Sequence, residues 1–120
     1  MAHVNIIDDD ETMVSLLGTL LTIEGHAVQP VFPADIGDLV APTNNNIPDL
    51  IILDVHLREI NGLDILRQFR QDDRFRQVKV IMTSGMDLSE RCMREGANAF
   101  LVKPYMPEEL IGLIHDQLMT

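Results

Sequence analysis

Four consecutive residues in the middle of the chain, Leu50-Ile51-Ile52-Leu53, are wholly apolar and stop abruptly at Asp54. An extended segment with no polar face must be covered on both sides, the situation of a central strand in a parallel sheet with helices above and below it. The same grammar recurs along the chain. His3 to Ile7 ends in apolar residues and runs straight into Asp8, Asp9 and Asp10. Ala27 to Val31 and Val78 to Thr83 read as further strands, and Ala99 to Val102 is followed at once by Lys103 and Pro104.

Helical spacing fills the gaps between these strands. Met13, Leu16, Leu17, Leu20 and Leu21 fall on one helical face, and Gly25 stands where a left-handed carboxyl-terminal cap is wanted. Ile36, Leu39 and Val40 predict a short second helix, followed by a loop from Pro42 to Asn46. A third helix turns Ile65, Leu66 and Phe69 inward, with Arg67, Arg70 and Arg74 marking its solvent side. A short fourth helix runs from about Leu88 to Glu95 and is closed by Gly96; a fifth starts at Pro107 and buries Leu110, Ile111, Ile114 and Leu118.

Five strands alternating with five helices in 120 residues, without repeat or linker, predict a single α/β domain over residues 1–120. The expected form is a three-layer α/β/α sandwich with right-handed crossovers. Pro30 cannot donate a ladder hydrogen bond, so the second strand belongs at a sheet edge. A flavodoxin-like (βα)5 arrangement with parallel order 2-1-3-4-5 meets that demand and makes strands one and three neighbours, at the switch point where ligands bind beyond the carboxyl ends of the strands.

Charge and cysteine content narrow the chemistry. Nineteen acidic against nine basic residues give a formal charge of -10, which repels phosphate backbones and argues against direct nucleic-acid binding. Cys92 is the only cysteine, so neither an internal disulfide nor a cysteine-based zinc site can form. No apolar run reaches the roughly 20 residues that cross a bilayer, and no basic-then-apolar leader begins the chain; a cytoplasmic protein is expected.

The residues that end the strands are the informative ones: Asp8 and Asp9 after the first, Asp54 after the third, Ser84 after the fourth and Lys103 after the fifth. All converge on one rim. Carboxylates gathered there repel by about 1 kcal/mol per pair at 4 Å in bulk water and about 4 at an effective dielectric near 20, so a counter-charge is required. A hard divalent cation suits oxygen ligands, Mg2+ in particular, and Lys103 adds a fixed positive charge. A carboxylate beside such a cation, an ammonium and a hydroxyl is arranged to attack phosphorus, because phosphoryl transfer is catalysed mainly by positioning and by charge neutralisation.

Ile6 to Asp10, Pro48 to Val55, Asn61-Gly62-Leu63, Val80 to Gly85 and Phe100 to Pro104 together resemble the bacterial two-component response-regulator receiver domain, in the right order and nearly end to end. The resemblance implies that Asp54 accepts the phosphoryl group from a sensor histidine kinase or a phosphotransfer protein. It also implies that Asp8, Asp9, Asp54 and the backbone carbonyl of His56 hold Mg2+, and that Ser84 and Lys103 engage the phosphoryl oxygens. The bond before Pro104 is expected to be cis, and Phe100 falls on the aromatic switch position. Phosphorylation would then change the face of helix four, strand five and helix five toward a downstream effector or output domain.

Some positions depart from the family pattern. Helix four is about one turn shorter than usual, which points to a modified partner surface. Arg58 and Lys79 stand where proline is frequent. His56 and Met86 flank the water route to the phosphoryl group by resemblance, and Met106 replaces the usual Asp or Ser cap before Pro107, which predicts a frayed start for helix five. Asp10 reads as a cap of helix one, Phe100 as a strand core residue apart from any switching role, the Arg67 to Arg76 cluster as a solvated helix face, and His3, His26 and His115 as ordinary histidines. Two rival functions stay open: a haloacid-dehalogenase-like phosphatase with Asp8 as nucleophile and Asp10 as acid/base, which leaves Asp54 without a task, and a receiver-like adaptor that is never phosphorylated.

Overall fold

The structure is a computed structural model and describes residues 2–119. Its strands are β1 (His3–Ile7), β2 (Ala27–Val31), β3 (Leu50–Asp54), β4 (His56–Leu57), β5 (Ile60–Asn61), β6 (Lys79–Ser84) and β7 (Ala99–Val102). Its helices are α1 (Glu11–Ile23), α2 (Ile36–Val40), α3 (Gly62–Gln71), α4 (Ser89–Arg94) and α5 (Pro107–Leu118), with a 3-10 turn at Pro33–Asp35 leading into α2. Five strands form one parallel sheet in the order β2-β1-β3-β6-β7. With the separate β4-β5 hairpin left aside, this is the expected 2-1-3-4-5 order, and Pro30 lies on the edge strand as its missing N–H requires.

Two apolar layers explain the central strand. Ile51, Leu53 and Val55 face α2 and α3, where Ile36, Leu39, Leu66 and Phe69 cover them; Leu50 and Ile52 face α1 and α5, where Leu17, Leu21, Leu110 and Ile114 do the same. Every residue of β3 is buried. Burial on this scale contributes about 25 cal/mol per Å² of apolar surface and is the main force holding the sandwich together.

The structure corrects several local expectations. On α1 the buried residues are Val14, Leu17 and Leu21, while Leu16 is 45% exposed, so the core stripe is rotated from the one predicted. The stretch after Asp54 is a tight hairpin, with His56 opposite Asn61 and Leu57 opposite Ile60. Its Arg58 has φ +52°, a conformation that a proline ring, locked near -65°, cannot adopt; the departure from proline at this position therefore fits the local backbone. At the other non-proline position, the Lys79 N–H donates to the Asp49 carbonyl at 3.2 Å, a bond proline could not make.

The arginines are not a solvated helix face. Arg70 is half-buried and donates to the carbonyls of Gly96, Phe75, Arg76 and Val78 and to the Asn98 side chain, at 2.9–3.2 Å. Burial holds its pKa below the ordinary guanidinium value. Arg74 lies beyond the end of α3 and donates to the carbonyls of Val40, Ala41 and Asn44 while pairing with Asp72. Arg67 grips Glu95 through two 3.0 Å hydrogen bonds. Only Arg76, more than half exposed, keeps the expected character.

The fourth helix is as short as predicted, and its far end is anchored: Glu95 by Arg67, and the carbonyl of Gly96 by Arg70. Helix five does not lack a cap. The Met106 N–H donates to the Glu109 carboxylate at 3.1 Å, so a residue three places on supplies part of what the methionine cannot.

Candidate functional site

Asp8, Asp9 and Asp54 are brought to the carboxyl end of the sheet because β1 and β3 are adjacent parallel strands that end there together. One carboxylate oxygen from each lies within 4.8 Å of the others. Asp8 and Asp54 are only 3% and 5% exposed; Asp9 is half-buried. Lys103 reaches in from the end of β7, its Nζ 3.1 Å from Asp8 Oδ2 and 3.2 Å from Asp54 Oδ2. The backbone N–H of Asp10 donates to Asp8 Oδ1 at 3.0 Å and fixes that carboxylate from the other side.

These neighbours set the electrostatics. Burial pushes the Asp54 carboxyl above its ordinary pKa; Lys103 opposes this and Asp8 adds to it. Burial alone would lower the Lys103 ammonium, but its bonds to Asp8 and Asp54 outweigh that, and it is held above its usual value. Three carboxylates against one ammonium leave an excess of two negative charges in a set of hard oxygen donors. That set fits a divalent ion such as magnesium better than a soft metal.

Ser84 ends β6 one residue beyond Thr83, the register partner of Asp54. It is fully buried; its Oγ accepts from the Met86 N–H at 3.1 Å and its carbonyl from the Lys103 N–H at 2.7 Å. The Lys103-Pro104 bond is cis, as expected. His56 follows two residues after Asp54 with an exposed side chain, and its backbone N–H favours the charged form of Asp54. Met86 is 61% exposed. Phe100 is half-buried against the α3 layer of the core. Asp10 caps α1, accepting from the Met13 N–H at 3.1 Å, as its position predicted.

Two contributors had no role assigned to them from the sequence. A Cβ at Gly62 would collide with the Asp54 carbonyl oxygen, so glycine alone lets the hairpin fold back against the end of β3. The signal was present in the Asn-Gly step, with Asn61 capping α3 through the Leu63 N–H. Tyr105, 8% exposed, has its hydroxyl pushed up to about 12 by burial, with the charges of Lys103, Asp8 and Asp54 all acting on it. No periodic pattern marks it out, because it lies in the turn after the cis bond.

The model of the response regulator receiver domain matches residues 4–115, and the chain belongs to that family. It is a receiver domain of the kind found in two-component response regulators, and a phosphoacceptor role fits it. It is 32% identical over 114 residues to the regulatory protein VanRc of Enterococcus gallinarum, covering 94% of this chain and 48% of that protein. It is 33% identical to the response regulator ArlR of Staphylococcus haemolyticus, covering 98% and 53%. The chain thus spans about half the length of these curated relatives. It also covers 91% of a chemotaxis protein CheY homolog of Campylobacter jejuni at 29% identity, with 96% of this chain matched. A crystal structure of a putative response regulator from Chloroflexus aurantiacus superposes with a TM-score of 0.86 at 27% identity, covering 99% of this chain and 98% of that one.

Proposed function

We propose that Asp54 takes a phosphoryl group from the phosphohistidine of a sensor kinase or phosphotransfer protein, with Mg2+ held by Asp8, Asp9, Asp54 and the His56 carbonyl. The carrying observation is the Lys103 ammonium hydrogen-bonded to both Asp8 and Asp54 beside the third carboxylate. An Asp54 carboxylate oxygen attacks phosphorus, the phosphorus–nitrogen bond of the donor breaks, and the donor imidazole leaves with the electron pair. Asp8, Asp9, Asp54 and the His56 carbonyl would hold a divalent ion there, which would supply charge neutralisation at the phosphoryl oxygens. Lys103 keeps its proton and pairs with the transferred group, and the Ser84 hydroxyl, whose oxygen accepts from the Met86 N–H, donates its own O–H to a phosphoryl oxygen. The surface of α4, β7 and α5 passes the change to an effector or output domain, and the cytoplasm is the setting; no helix among the described residues is long and apolar enough to cross a membrane.

The phosphatase reading is disfavoured because Asp10 is engaged in capping α1 and Asp54 shares the cluster. Incubation with acetyl phosphate and Mg2+, borohydride trapping of the acyl phosphate and peptide mapping test the assignment. One adduct on Asp54, abolished by Asp54→Asn and by EDTA, is expected. An adduct on Asp8 would support the phosphatase instead, and none from either kinase or small donor would leave the adaptor.

A further inference from the structure

One part of the sheet is polar where the rest is apolar. Asn5 and Gln29 are register partners on β1 and β2, and the two-residue period places them on the face of Ile7 and Val31, the face that α2 covers. The five residues of α2 make roughly 7.5 Å of helix at 1.5 Å per residue, so its cover stops short of this pair and the segment 41–48 continues it. Between them is a cleft of about 300 Å³ lined by Asn5, Gln29, Asp35, Asp38, Asn44 and Asn46. A second hollow of about 220 Å³ shares Asn5, Gln29 and Asn46 with it.

Asn5 is 6% exposed, and among the described residues its carboxamide has no hydrogen-bond partner, although it lines both hollows. The Asn5 amide thus presents its hydrogen-bonding groups to the hollows, where a polar molecule can meet them. The walls are rigidly built. Arg74 holds the carbonyls of Val40, Ala41 and Asn44, and the Asn44 side chain donates to the Leu39 carbonyl and accepts from the Asn46 N–H. Asp35 and Asp38 enter no ion pair among the described residues, and neither Lys nor Arg lines either hollow.

We propose that this cleft binds a small organic cation bearing a primary ammonium or guanidinium group, of the size of a diamine or agmatine. Two unneutralised carboxylates exclude anions and attract such a group, while amide oxygens at the floor accept its remaining N–H bonds. The hollow is far larger than a bare metal ion, and two carboxylates alone make a poor cage for one. The site does not rely on Asp54 or its phosphorylation.

The test is a titration of the whole chain, with Mg2+ kept saturating, using agmatine, putrescine and the neutral polyol erythritol. Binding is followed by calorimetry and by NMR of the Asn and Gln side-chain amides. Agmatine or putrescine should shift the Asn5, Gln29 and Asn46 signals, and Asp38→Asn or Asp35→Asn should weaken binding roughly tenfold, as expected for loss of one charge-assisted bond. Asn5→Leu should abolish binding while leaving the fold intact, checked by unchanged spectra elsewhere. No shift at these amides up to about 10 mM of either amine, a concentration where even millimolar affinity would register, overturns the proposal. So do equal binding of erythritol, and shifts confined to the acidic pocket at Asp8, Asp9 and Asp54.

Discussion

Lys103 stands 3.2 Å from Asp54 and 3.1 Å from Asp8, one ammonium shared between two buried carboxylates. A single cation cannot offset both, and burial first, with the Asp8 charge adding to it against Lys103, holds the Asp54 carboxyl above its ordinary pKa. The pocket is therefore a place where the fold gives up stability to keep a buried carboxylate.

That deficit has a sign that can be measured. A carboxyl whose folded pKa lies above its unfolded value stabilises the fold fully below the unfolded pKa and loses that contribution as pH rises through the folded one. Asp54→Asn should therefore raise the unfolding free energy at neutral pH by about 1 kcal/mol, the scale of one like-charge contact in water. The gain should vanish below about pH 3.8, the unfolded value. Urea unfolding in metal-free buffer at both pH values decides it; a variant no more stable than the wild type at neutral pH would contradict the electrostatic account.

His26 sets a second pH dependence of opposite sense. Burial first, and the neighbouring His115 second, hold its pKa below 6.5. The unfolded chain then takes up a proton before the folded one, so this contribution is intact above pH 6.5 and is lost as pH falls through that value toward the lower folded pKa. The urea midpoint should drop more between pH 7.5 and 5.5 in the wild type than in His26→Gln (both pH values being about one unit from the reference pKa). Parallel pH curves for the two proteins would count against it.

Arg70 links the end of α3 to the approach to β6 and to the turn after α4 through five hydrogen bonds. Arg70→Ala leaves four backbone carbonyls and one amide oxygen without that partner. A loss of about 2–4 kcal/mol in chemical denaturation is expected, the range for breaking a partly buried network. A change within about 0.5 kcal/mol, as for an ordinary surface residue, would show that the guanidinium is dispensable.

Gly62→Ala addresses the site more directly. The added methyl meets the Asp54 carbonyl, so either the hairpin or the end of β3 must move. About 1–3 kcal/mol of stability should be lost, and the rate of phosphorylation by acetyl phosphate should fall roughly a hundredfold, the cost of a displacement near 1 Å at a reacting group. Phosphorylation at the wild-type rate in a folded variant would rule out the positioning role.

The contrast between what could and could not be read from the chain is physical. Leu50 to Leu53 and Pro30 sufficed for the sheet order, because an all-apolar strand and an edge proline each admit few placements. Asp8, Asp9, Asp54 and Lys103 were legible because residues at the ends of parallel strands must share a rim. Arg70 was misread because its spacing on α3 is that of a solvent-facing residue, and nothing local tells that the carbonyls of Phe75 to Val78 and of Gly96 converge on it. The β4-β5 hairpin escaped because strands of two residues carry no period, and the phase of α1 was misjudged because Leu16 and Val14 compete for one stripe.

Anchoring at Glu95 and Gly96 limits how α4 can respond to events in the pocket. A six-residue helix pinned at one end by two guanidinium groups cannot slide as a unit. A disturbance starting at Ser84 would reach the surface as a pivot, with displacement greatest near Ser89 and dying away before Arg94. Amide exchange after phosphorylation should be graded in that direction, and an even change along all six residues would mean the anchor had let go.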